Sequence, residues 1–386
     1  MTLEWKCDVT CSRFFSMHQR LKPAQISAFR LFRHHLIAAK PEDLATICQN
    51  VCGIQAQVLS AAEISLWARR HELTRAEIRA ALGPRHTLVR TSVMRQTLHL
   101  IAAQDFSLYI NALKRSRMAA LWNGMSRFGI KPQEVDALNA AVVEALRDGP
   151  LSQRELNAYV KPRLGKNMRA WMAKIWSILR PALVEGLICY GPEQGKEAVF
   201  VRVDQWLPKQ KPVAEAAAKQ ILLRRYLKVY GPATLHDFSR WAGMNIPEAK
   251  AVWENCRDEL REIECADGKK FILHEDAGDL RDSRLASHGL RLLPHFDVYL
   301  LGHAEKNHLL AAAHYKRVYR NQGWISPVIL LDGRIIGVWS YTRRAKNWLL
   351  EIKPFEKFSK HLCAQIEEET ASLGKFLETT WEIKYN

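Results

Sequence analysis

One pattern of polar and apolar positions occurs three times along the chain. A hydroxyl residue is followed three positions later by an acid and then by an apolar residue. The three occurrences are Thr74-Arg75-Ala76-Glu77-Ile78, Ser152-Gln153-Arg154-Glu155-Leu156 and Thr234-Leu235-His236-Asp237-Phe238. Such a capping box satisfies free backbone amides of a first helical turn, so each one predicts the start of a short helix. Because the boxes lie 78 and 82 residues apart, they indicate an internal repeat.

The second and third boxes have the same predicted surroundings. Around the second box, apolar periodicity predicts a helix over residues 133–146 before it and a longer helix over 168–185 after it. Around the third box, it predicts helices over 214–230 and 247–260. Two strand-like runs close each set, GLICYG with EAVFVRV in the second and REIEC with KKFILHE in the third. Three helices followed by a two-stranded wing is the order of a winged helix, a variant of the helix-turn-helix module.

The two ends of the chain depart from this repeat. The first unit has an added helix, with TLVRTSV and QTLHLIA as its wing strands. From about residue 290, two strands flank a turn at Asp332-Gly333, NWLLEIKPF adds another strand, and residues 356–377 have the periodicity of an amphipathic helix. We therefore predict an α+β, mainly helical fold: three tandem winged-helix units followed by a small β-rich C-terminal domain. The predicted domains are a loose N-terminal extension (1–22), winged helix 1 with its Gln-Ala-Gln link (23–130), winged helix 2 (131–210), winged helix 3 (211–290) and the C-terminal domain with its terminal helix (291–386).

A short link inside the first unit carries two amide side chains. The preceding helix is expected to end at Gly53, and a further capping box from Ser60 to Glu63 predicts that the next helix begins at Ser60. Gln55 and Gln57 then lie in an extended segment, where positions two apart project to the same side. Two such amides are suited to holding a water or a sugar-phosphate, or alternatively they satisfy backbone groups around a tight turn.

Charge favours a polyanionic partner. The chain has 57 Lys and Arg against 40 Asp and Glu, a formal charge of +17, which attracts nucleic acid by counterion release. A protein-binding array of winged helices fits this charge less well. The basic residues group as Lys114, Arg115 and Arg117; Lys161, Arg163, Lys166 and Arg169; and Arg224, Arg225 and Lys228.

Other features restrict location and chemistry. No run reaches the roughly 18 apolar residues that cross a bilayer, and the N-terminus lacks the apolar core of a signal peptide. We expect a cytoplasmic, nucleoid-associated monomer with reduced cysteines. The C-x3-C spacings at Cys7/Cys11 and Cys48/Cys52 have no accompanying histidine pair or C-x2-C, so no metal or other cofactor is predicted.

Five blocks of the sequence resemble the bacterial AlkZ-like winged-helix DNA glycosylases. They are CGIQAQVLSAAEISLWAR, LVRTSVMRQTLHLIAAQD, YGPATLHDFSRWAGM, LLPHFDVYLLGH and VILLDGRIIGVWSYTRR, in family order over roughly residues 24 to 350. The resemblance implies a concave DNA-binding face and hydrolysis of the N-glycosidic bond of N7-alkylated purines, including crosslinked guanine, without metal or cofactor. The family's catalytic Gln-x-Gln falls on Gln55 and Gln57. A sister branch has an acid at the second position, where this chain has Gln57.

The chemistry implied by the resemblance is compatible with amides. An N7-alkylguanine is already cationic and leaves as a neutral base, so no general acid is required. The site has to hold a water under C1′ and stabilise a developing oxocarbenium ion, which a carbonyl acceptor and fixed dipoles can do. Carboxylates do so more strongly in glycoside hydrolysis. Amides should therefore act on labile cationic lesions and fail on neutral ones such as uracil.

Further candidates lie near the link and on the basic surfaces. Alternation in RQTLHL places Arg95, Thr97 and His99 on one strand face, where they would meet the DNA or the lesion, although a packed His99 is an equal alternative. The family usually has glycine where this chain has Gln96. The remaining candidate DNA contacts are Lys166, Arg169, Arg343 and Arg344, while His295 and Asp297 are interpreted mainly as support for their domain. The competing functional hypothesis is a non-catalytic winged-helix DNA-binding protein or transcriptional regulator.

Overall fold

The computed structural model describes residues 21–37, 42–70, 72–174, 177–192, 197–284, 289–345 and 347–386. The predicted N-terminal extension, residues 1–22, lies almost wholly outside them. Within these ranges the helices are α1 (Pro23–Arg33), α2 (Leu44–Asn50), α3 (Leu59–Trp67), α4 (Arg75–Leu82), α5 (Phe106–Met125), α6 (Pro132–Ala145), α7 (Gln153–Val160), α8 (Lys166–Met172), α9 (Arg180–Glu185), α10 (Val203–Trp206), α11 (Glu215–Tyr230), α12 (Leu235–Ala242), α13 (Ile246–Glu254), α14 (Ala277–Asp282), α15 (Tyr315–Val318) and α16 (Lys360–Leu377). None of the helices in the described ranges combines the length and apolar character that a bilayer crossing needs.

The strands make the fold α+β. They are β1 (Ile54–Gln55), β2 (Leu88–Ser92), β3 (Leu98–Ala102), β4 (Leu151–Ser152), β5 (Ile188–Tyr190), β6 (Val199–Arg202), β7 (Leu260–Cys265), β8 (Gly268–Leu273), β9 (Leu290–Leu293), β10 (Val328–Leu331), β11 (Arg334–Thr342), β12 (Trp348–Pro354) and β13 (Trp381–Tyr385). A six-stranded sheet has the order β1-β3-β2-β5-β6-β4, a five-stranded sheet the order β13-β12-β11-β10-β9, and β7 pairs with β8 alone. The hairpins of the first two units are therefore joined in one sheet.

The three predicted capping boxes are confirmed. Thr74, Ser152 and Thr234 each accept a hydrogen bond from the backbone amide three residues on, and the acid at that position caps the hydroxyl residue's own amide in return. The helices that follow, α4, α7 and α12, are each eight residues long. The predicted hairpins after the second and third boxes are also present, as β5–β6 and β7–β8.

The predicted helix over residues 168–185 is wrong as a single element. The chain forms α8, which ends at Met172, and α9, which begins at Arg180; residues 175 and 176 lie outside the described part. Pro181 explains the separate start of α9, because proline has no N–H to donate and its ring clashes with the carbonyl four residues earlier. The amide of Leu179 instead donates to Ser177 Oγ at 3.2 Å.

Other boundaries differ for local reasons. α3 begins at Leu59 instead of Ser60, and the predicted capping box is not formed because Val58 is the N-cap. Glu63 accepts a hydrogen bond from Arg75 Nε at 3.0 Å instead. α13 ends at Glu254 rather than near residue 260, and α16 begins after its cap at Ser359 rather than at 356. The pattern did not predict β13, which pairs with β12 in parallel.

The apolar cores cross the predicted domain boundaries. One core joins residues between 31 and 100 with residues between 290 and 376, so the first unit and the C-terminal region share it. A second joins β2, β3 and α5 to α11, α12 and α13, and a third fills the second unit. The domain boundaries and the number of winged-helix units stay predictions.

A buried ion pair ties α3 to the C-terminal region. Arg69 donates to both carboxylate oxygens of Asp297, with Nη1–Oδ2 at 2.7 Å and Nη2–Oδ1 at 2.8 Å, and both side chains are fully buried. Ser65 Oγ also donates to Asp297 at 2.6 Å. This agrees with the expectation that Asp297 supports its domain. Such a pair specifies geometry, since removing one member leaves an uncompensated buried charge.

We expect Arg69→Met to lower the free energy of unfolding by about 3–5 kcal/mol, because Asp297 would stay buried without its cation. Urea unfolding measures this change. The control is Arg147→Met, since Arg147 pairs with Glu144 on the surface, where their side chains are 60% and 52% exposed, and its loss should cost less than about 1 kcal/mol. Equal effects of the two variants would contradict the role given to Arg69.

Candidate active site

A tight turn delivers the Gln-Ala-Gln segment to the edge of the six-stranded sheet. Gly53 has φ +87°, and a Cβ there would lie 2.9 Å from Ile101 Cγ2 and 3.2 Å from the Leu100 carbonyl oxygen. Only glycine fits this close approach and this backbone conformation. The chain therefore passes from α2 directly into β1, whose Gln55 lies opposite His99 of β3. Ala56 continues the contact by donating its N–H to the Leu98 carbonyl at 2.6 Å.

The two amides have different exposure but contact the same segment of the neighbouring hairpin. Gln55 is buried, and its Oε1 accepts a hydrogen bond from Arg95 Nη2 at 3.1 Å. Gln57 is exposed, and its Oε1 lies 3.4 Å from the backbone N of Leu98. The alternative that the amides satisfy backbone groups is therefore supported only by one long hydrogen bond, from Leu98 N–H to Gln57. The carbonyl of Gln55 accepts from the side chain of Arg95 instead.

Arg95 links the site to the third unit. Its Nη1 donates to the Trp241 carbonyl at 2.7 Å, while Nη2 reaches Gln55 and lies 3.4 Å from His99 Nε2. The C-cap Gly243 of α12 has φ +77°, and a Cβ there would lie 2.9 Å from the backbone N of Arg95. The end of α12 therefore packs directly against the turn that carries Arg95 and fixes its position.

The expectation that Arg95, Thr97 and His99 share one strand face is wrong for Arg95. Arg95 and Gln96 form a turn with φ of 53° and 59°, and β3 begins only at Leu98. The guanidinium of Arg95 bends back from this turn to the sheet face of His99. Thr97 supports the turn, because its Oγ1 donates to the Met94 carbonyl at 3.1 Å. Alternation along a strand cannot reveal such a turn, which non-glycine residues adopt rarely.

His99 is a neutral imidazole. Burial, followed by the positive charges of Arg95 and Arg117, lowers the pKa of His99 to about 3. Its Nδ1 lies 3.0 Å from the Thr97 carbonyl oxygen, which can only accept, so Nδ1 carries the proton and Nε2 is the acceptor that faces Arg95. His99 therefore orients the amide and arginine pair and does not supply protons near neutral pH.

The charges around the amides are positive. Burial lowers the pKa of Arg95 to about 10, with Tyr230 acting in the opposite direction, and Arg95 still remains protonated at neutral pH. Among the described residues, no ion pair joins a carboxylate to Arg95, Arg117 or Arg180. Neither Arg95 nor His99 accepts a proton near pH 7, so the chemistry that these described residues can support relies on neutral dipoles.

The other predicted DNA contacts lie away from this cluster. Lys166 and Arg169 are exposed on α8. Arg343 lies over the ring of Trp348, 4.8 Å from its centre, and Arg344 pairs with Glu382 at 3.1 Å in the β11–β12 hairpin region. No hydrogen bond or ion pair within the described ranges joins these four to the amides. The third basic group is largely neutralised, since its members are partnered as follows: Arg224 with Glu259, Arg225 with Asp105 and Lys228 with Glu275.

Cysteines near the link are unsuited to metal binding. Burial raises the pKa of both Cys48 and Cys52 to about 12, and a thiol has to lose its proton to ligate zinc. Within the described part of the chain, no three His, Cys, Asp or Glu side chains are grouped so that they would hold an ion.

The sequence did not single out two contributors to this cluster. Arg117 of α5 is 4% exposed, although it was predicted as part of a basic surface. Arg180 donates through Nη2 to Gln96 Oε1 at 2.6 Å and so connects α9 to the turn. The presence of Gln96 in place of the family's usual glycine was the available signal for this contact.

Known proteins match this chain over nearly its whole length. A family model described as "DNA glycosylase AlkZ-like" matches residues 48–376. The interstrand DNA cross-link repair glycosylase of Streptomyces sahachiroi is 30% identical over 367 residues, which is 91% of this chain and 95% of that protein. The solved structure of the Streptomyces sahachiroi DNA glycosylase AlkZ superposes with a TM-score of 0.83 and 28% identity, covering 95% of this chain and all of the other. The family match includes the amide segment and the whole turn from Val93 to Thr97.

We expect the His99 ring to stay neutral, in the Nδ1–H form, from pH 8 down to pH 5, because its pKa is lowered from 6.5 to about 3. Nitrogen-15 NMR of labelled histidine measures this, with the His99→Gln variant for assignment. Because the pKa of His99 is lower in the folded than in the unfolded protein, the neutral ring contributes to the free energy of unfolding above about pH 6.5, and this contribution is lost as the pH falls towards 3. A His99 titration midpoint between pH 6 and 7 would contradict the buried geometry.

Proposed function

The chain belongs to the AlkZ-like DNA glycosylase family, and from this premise we propose that it removes N7-alkylated purines, including interstrand-crosslinked guanine, from duplex DNA. As a DNA glycosylase it hydrolyses N-glycosidic bonds. The crosslink-repair name of its Streptomyces relative supports this substrate class. The single observation that carries the proposal is the Gln55–Arg95–His99 arrangement, in which an oriented amide is held by an arginine that forms no ion pair with a carboxylate of the described residues.

The proposed lesion does not require a proton donor for its leaving base. An N7-alkylated guanine carries a positive charge and leaves as a neutral base, so its departure needs no proton donor. His99 is neutral near pH 7 and cannot act as a general acid. A neutral base such as uracil leaves as an anion or needs protonation, and neither His99 nor Arg95 has a pKa suited to protonating it. The proposed substrate class is therefore the class that needs least from a protein acid.

We propose separate roles for the two amides. Gln57 is exposed, and its carbonyl accepts a hydrogen bond from the attacking water, replacing the long contact with Leu98. Gln55 has its carbonyl held by Arg95, which leaves its Nε2 hydrogens to orient the water oxygen or a sugar oxygen. A water held beneath C1′ gains the advantage of proximity, and the negative end of the Gln57 amide dipole stabilises developing positive charge without reorganisation. Thr97 and His99 complete the support of this pair.

The scaffold is proposed to bind duplex DNA through three tandem winged-helix units, with boundaries as predicted from the sequence, acting as a monomer. The repeated eight-residue helices α4, α7 and α12 support this count. Lys166 and Arg169 are proposed phosphate contacts, since both are exposed on the same helix. Arg343 and Arg344 are proposed contacts from the C-terminal hairpin, with Arg344 released from Glu382 when DNA binds. A non-catalytic regulator is not favoured, since a regulator needs no oriented amide beneath its wing.

We expect wild-type protein to release 7-methylguanine from duplex DNA well above the spontaneous rate. Gln55→Ala and Gln57→Ala should each lower the single-turnover rate by roughly 10²-fold, the usual loss when one positioned group is removed. Alkali-labile abasic sites measure the rate, and duplex binding should remain within about twofold of wild type. Gln133→Ala on α6 is the matched control, because that amide is exposed and has no role in the proposed site.

A second substrate tests the crosslink part of the proposal. A duplex with an N7-guanine interstrand crosslink should be unhooked by wild type and by Gln133→Ala, and poorly by the two site variants. Base release no faster than spontaneous depurination on both duplexes would sink the proposal. Release from the monoadduct alone would limit it to monoadducts.

We also expect the single-turnover rate on 7-methylguanine to vary little between pH 6 and 8.5. Of the described residues, Arg95 hydrogen-bonds Gln55 and His99 lies opposite it in the sheet, and their pKa values, near 10 and near 3, fall outside that range. The measurement compares enzyme-dependent release with buffer controls at each pH. A tenfold change across this range would show that a proton donor or acceptor is involved in the reaction.

A further inference from the structure

Arg117 is a buried cation for which the described part of the chain provides no hydrogen-bond acceptor or carboxylate. It projects from α5, is 4% exposed, and its Nε and Nη1 atoms are enclosed without a hydrogen-bond acceptor. No ion pair or cation–π contact to it occurs among the described residues. Burial, followed by the positive charge of Arg180, lowers its pKa to about 10, so it stays charged at neutral pH. An enclosed charge of this kind is costly unless something pairs with it.

The other deeply buried arginines do have acceptors. Arg69 binds Asp297 through two hydrogen bonds. Arg30 donates to the carbonyls of Gly231 and Pro232 at 3.3 and 2.8 Å. The fold therefore satisfies buried guanidinium groups where they serve structure. Arg117 departs from this, which indicates that its partner comes from another molecule.

The residues around Arg117 favour an anionic binding partner. Its charge contributes to the lowered pKa of His99, which lies opposite Gln55 in the sheet. Helix α5, which carries Arg117, packs against α9, which carries Arg180, and the charge of Arg180 further lowers the pKa of Arg117. Arg180 in turn donates to Gln96 on the same turn that carries Arg95. Within the described ranges, no carboxylate forms an ion pair with any of these three arginines.

Building on the proposed function, we propose that Arg117 and Arg180 hold one backbone phosphate of the damaged DNA strand beside the amide pair. A phosphodiester has two free oxygens, of which one can accept from Arg117 Nη2, which is not among the enclosed nitrogens, and the other from the guanidinium of Arg180. Binding it repays the unpaired charge of Arg117 and brings a negative charge close to the sugar that becomes cationic. The phosphate thereby places C1′ of the adjacent nucleotide against Gln55 and Gln57.

Gln96 is a positioning residue in this arrangement. Its backbone has φ +59°, a conformation that glycine adopts at less cost. The gain that offsets the strain is its side-chain carbonyl, which accepts from Arg180 Nη2 at 2.6 Å. With glycine at this position Arg180 would have no such anchor. The departure from the family's glycine at position 96 thus belongs to the same phosphate site.

The test combines a protein variant with a change in the DNA backbone. The probe is a duplex with an abasic tetrahydrofuran at the lesion position, which cannot be cleaved, and with an uncharged methylphosphonate placed at one linkage at a time around it. At one linkage, methylphosphonate should weaken wild-type binding by about tenfold, as expected for a lost hydrogen bond to a charged group. For Arg117→Met, methylphosphonate at that linkage should cause no further loss of binding. For Arg117→Met, the plot of log K for duplex binding against log salt concentration should also have a slope about 0.9 less negative than for wild type.

The control on the same helix is Arg115→Met, because Arg115 is exposed; this variant should keep the full methylphosphonate loss at that linkage. Arg117→Met should melt at or above the wild-type temperature, since no protein acceptor loses its partner. Gln96→Gly should retain the coupling to Arg117 but bind the unmodified duplex more weakly.

Two results would overturn the phosphate site: equal methylphosphonate losses in Arg117→Met and wild type at every linkage, or a melting temperature for Arg117→Met lowered as far as that of Arg69→Met. Because the probe duplex is never cleaved, these readouts do not depend on base release. If the methylphosphonate loss depends on Arg117 but no 7-methylguanine is released, the proposed function alone is refuted. If 7-methylguanine is released but the methylphosphonate loss does not depend on Arg117, the phosphate site alone is refuted.

Discussion

The pairing of the two-residue strand β1 with β3 is the constraint on which the candidate site depends. A pairing this short is not stable by itself, so its position has to come from the surrounding contacts. Gly53 allows the close approach to Ile101, Ala56 donates to Leu98, and Arg90 Nε donates to the Ala56 carbonyl at 3.2 Å. These contacts fix the register that sets Gln55 opposite His99. A slip by one residue would point Gln55 to the other face of the sheet and away from Arg95.

Elements that are local in sequence were predictable, and contacts between distant segments were not. Each capping box holds its own signal within four residues, so the starts of α4, α7 and α12 followed from the sequence. The break before α9 was also signalled locally, by Pro181, but apolar periodicity concealed it. The contact of Arg95 with the Trp241 carbonyl joins residues 146 positions apart, and no spacing rule gives such a pair. Likewise, burial of Arg117 depends on how α5 packs, and its sequence context is that of an exposed basic group.

The family resemblance predicted more of the candidate site residues than the pattern of residues alone did. Spacing alone left Gln55 and Gln57 open between a catalytic role and a turn-stabilising one, and it placed Arg95 on a strand. The family blocks pointed to the amide pair as the catalytic residues, and the family model covers that segment; the catalytic role itself stays a proposal. The blocks could not indicate what replaces glycine at position 96 or why. That answer required the turn geometry and the contact with Arg180, since left-handed backbone and a hydrogen bond between a turn and a distant helix leave no periodic trace in a sequence.

Among the described residues, no carboxylate forms an ion pair with Arg95, Arg117 or Arg180, and this bears on how the proposed catalysis would be controlled. A cationic lesion and a cationic sugar are both disfavoured beside Arg95, Arg117 and Arg180 while these charges are unscreened, because like charges in a partly desolvated site repel strongly. In the proposed phosphate site, a phosphate of the bound strand would reverse this sign locally. The site would then favour the transition state only when the DNA backbone is bound against the arginines, so that the substrate completes the electrostatics of the enzyme. On this proposal a free alkylated nucleoside, which lacks that backbone, would gain little from the same amides.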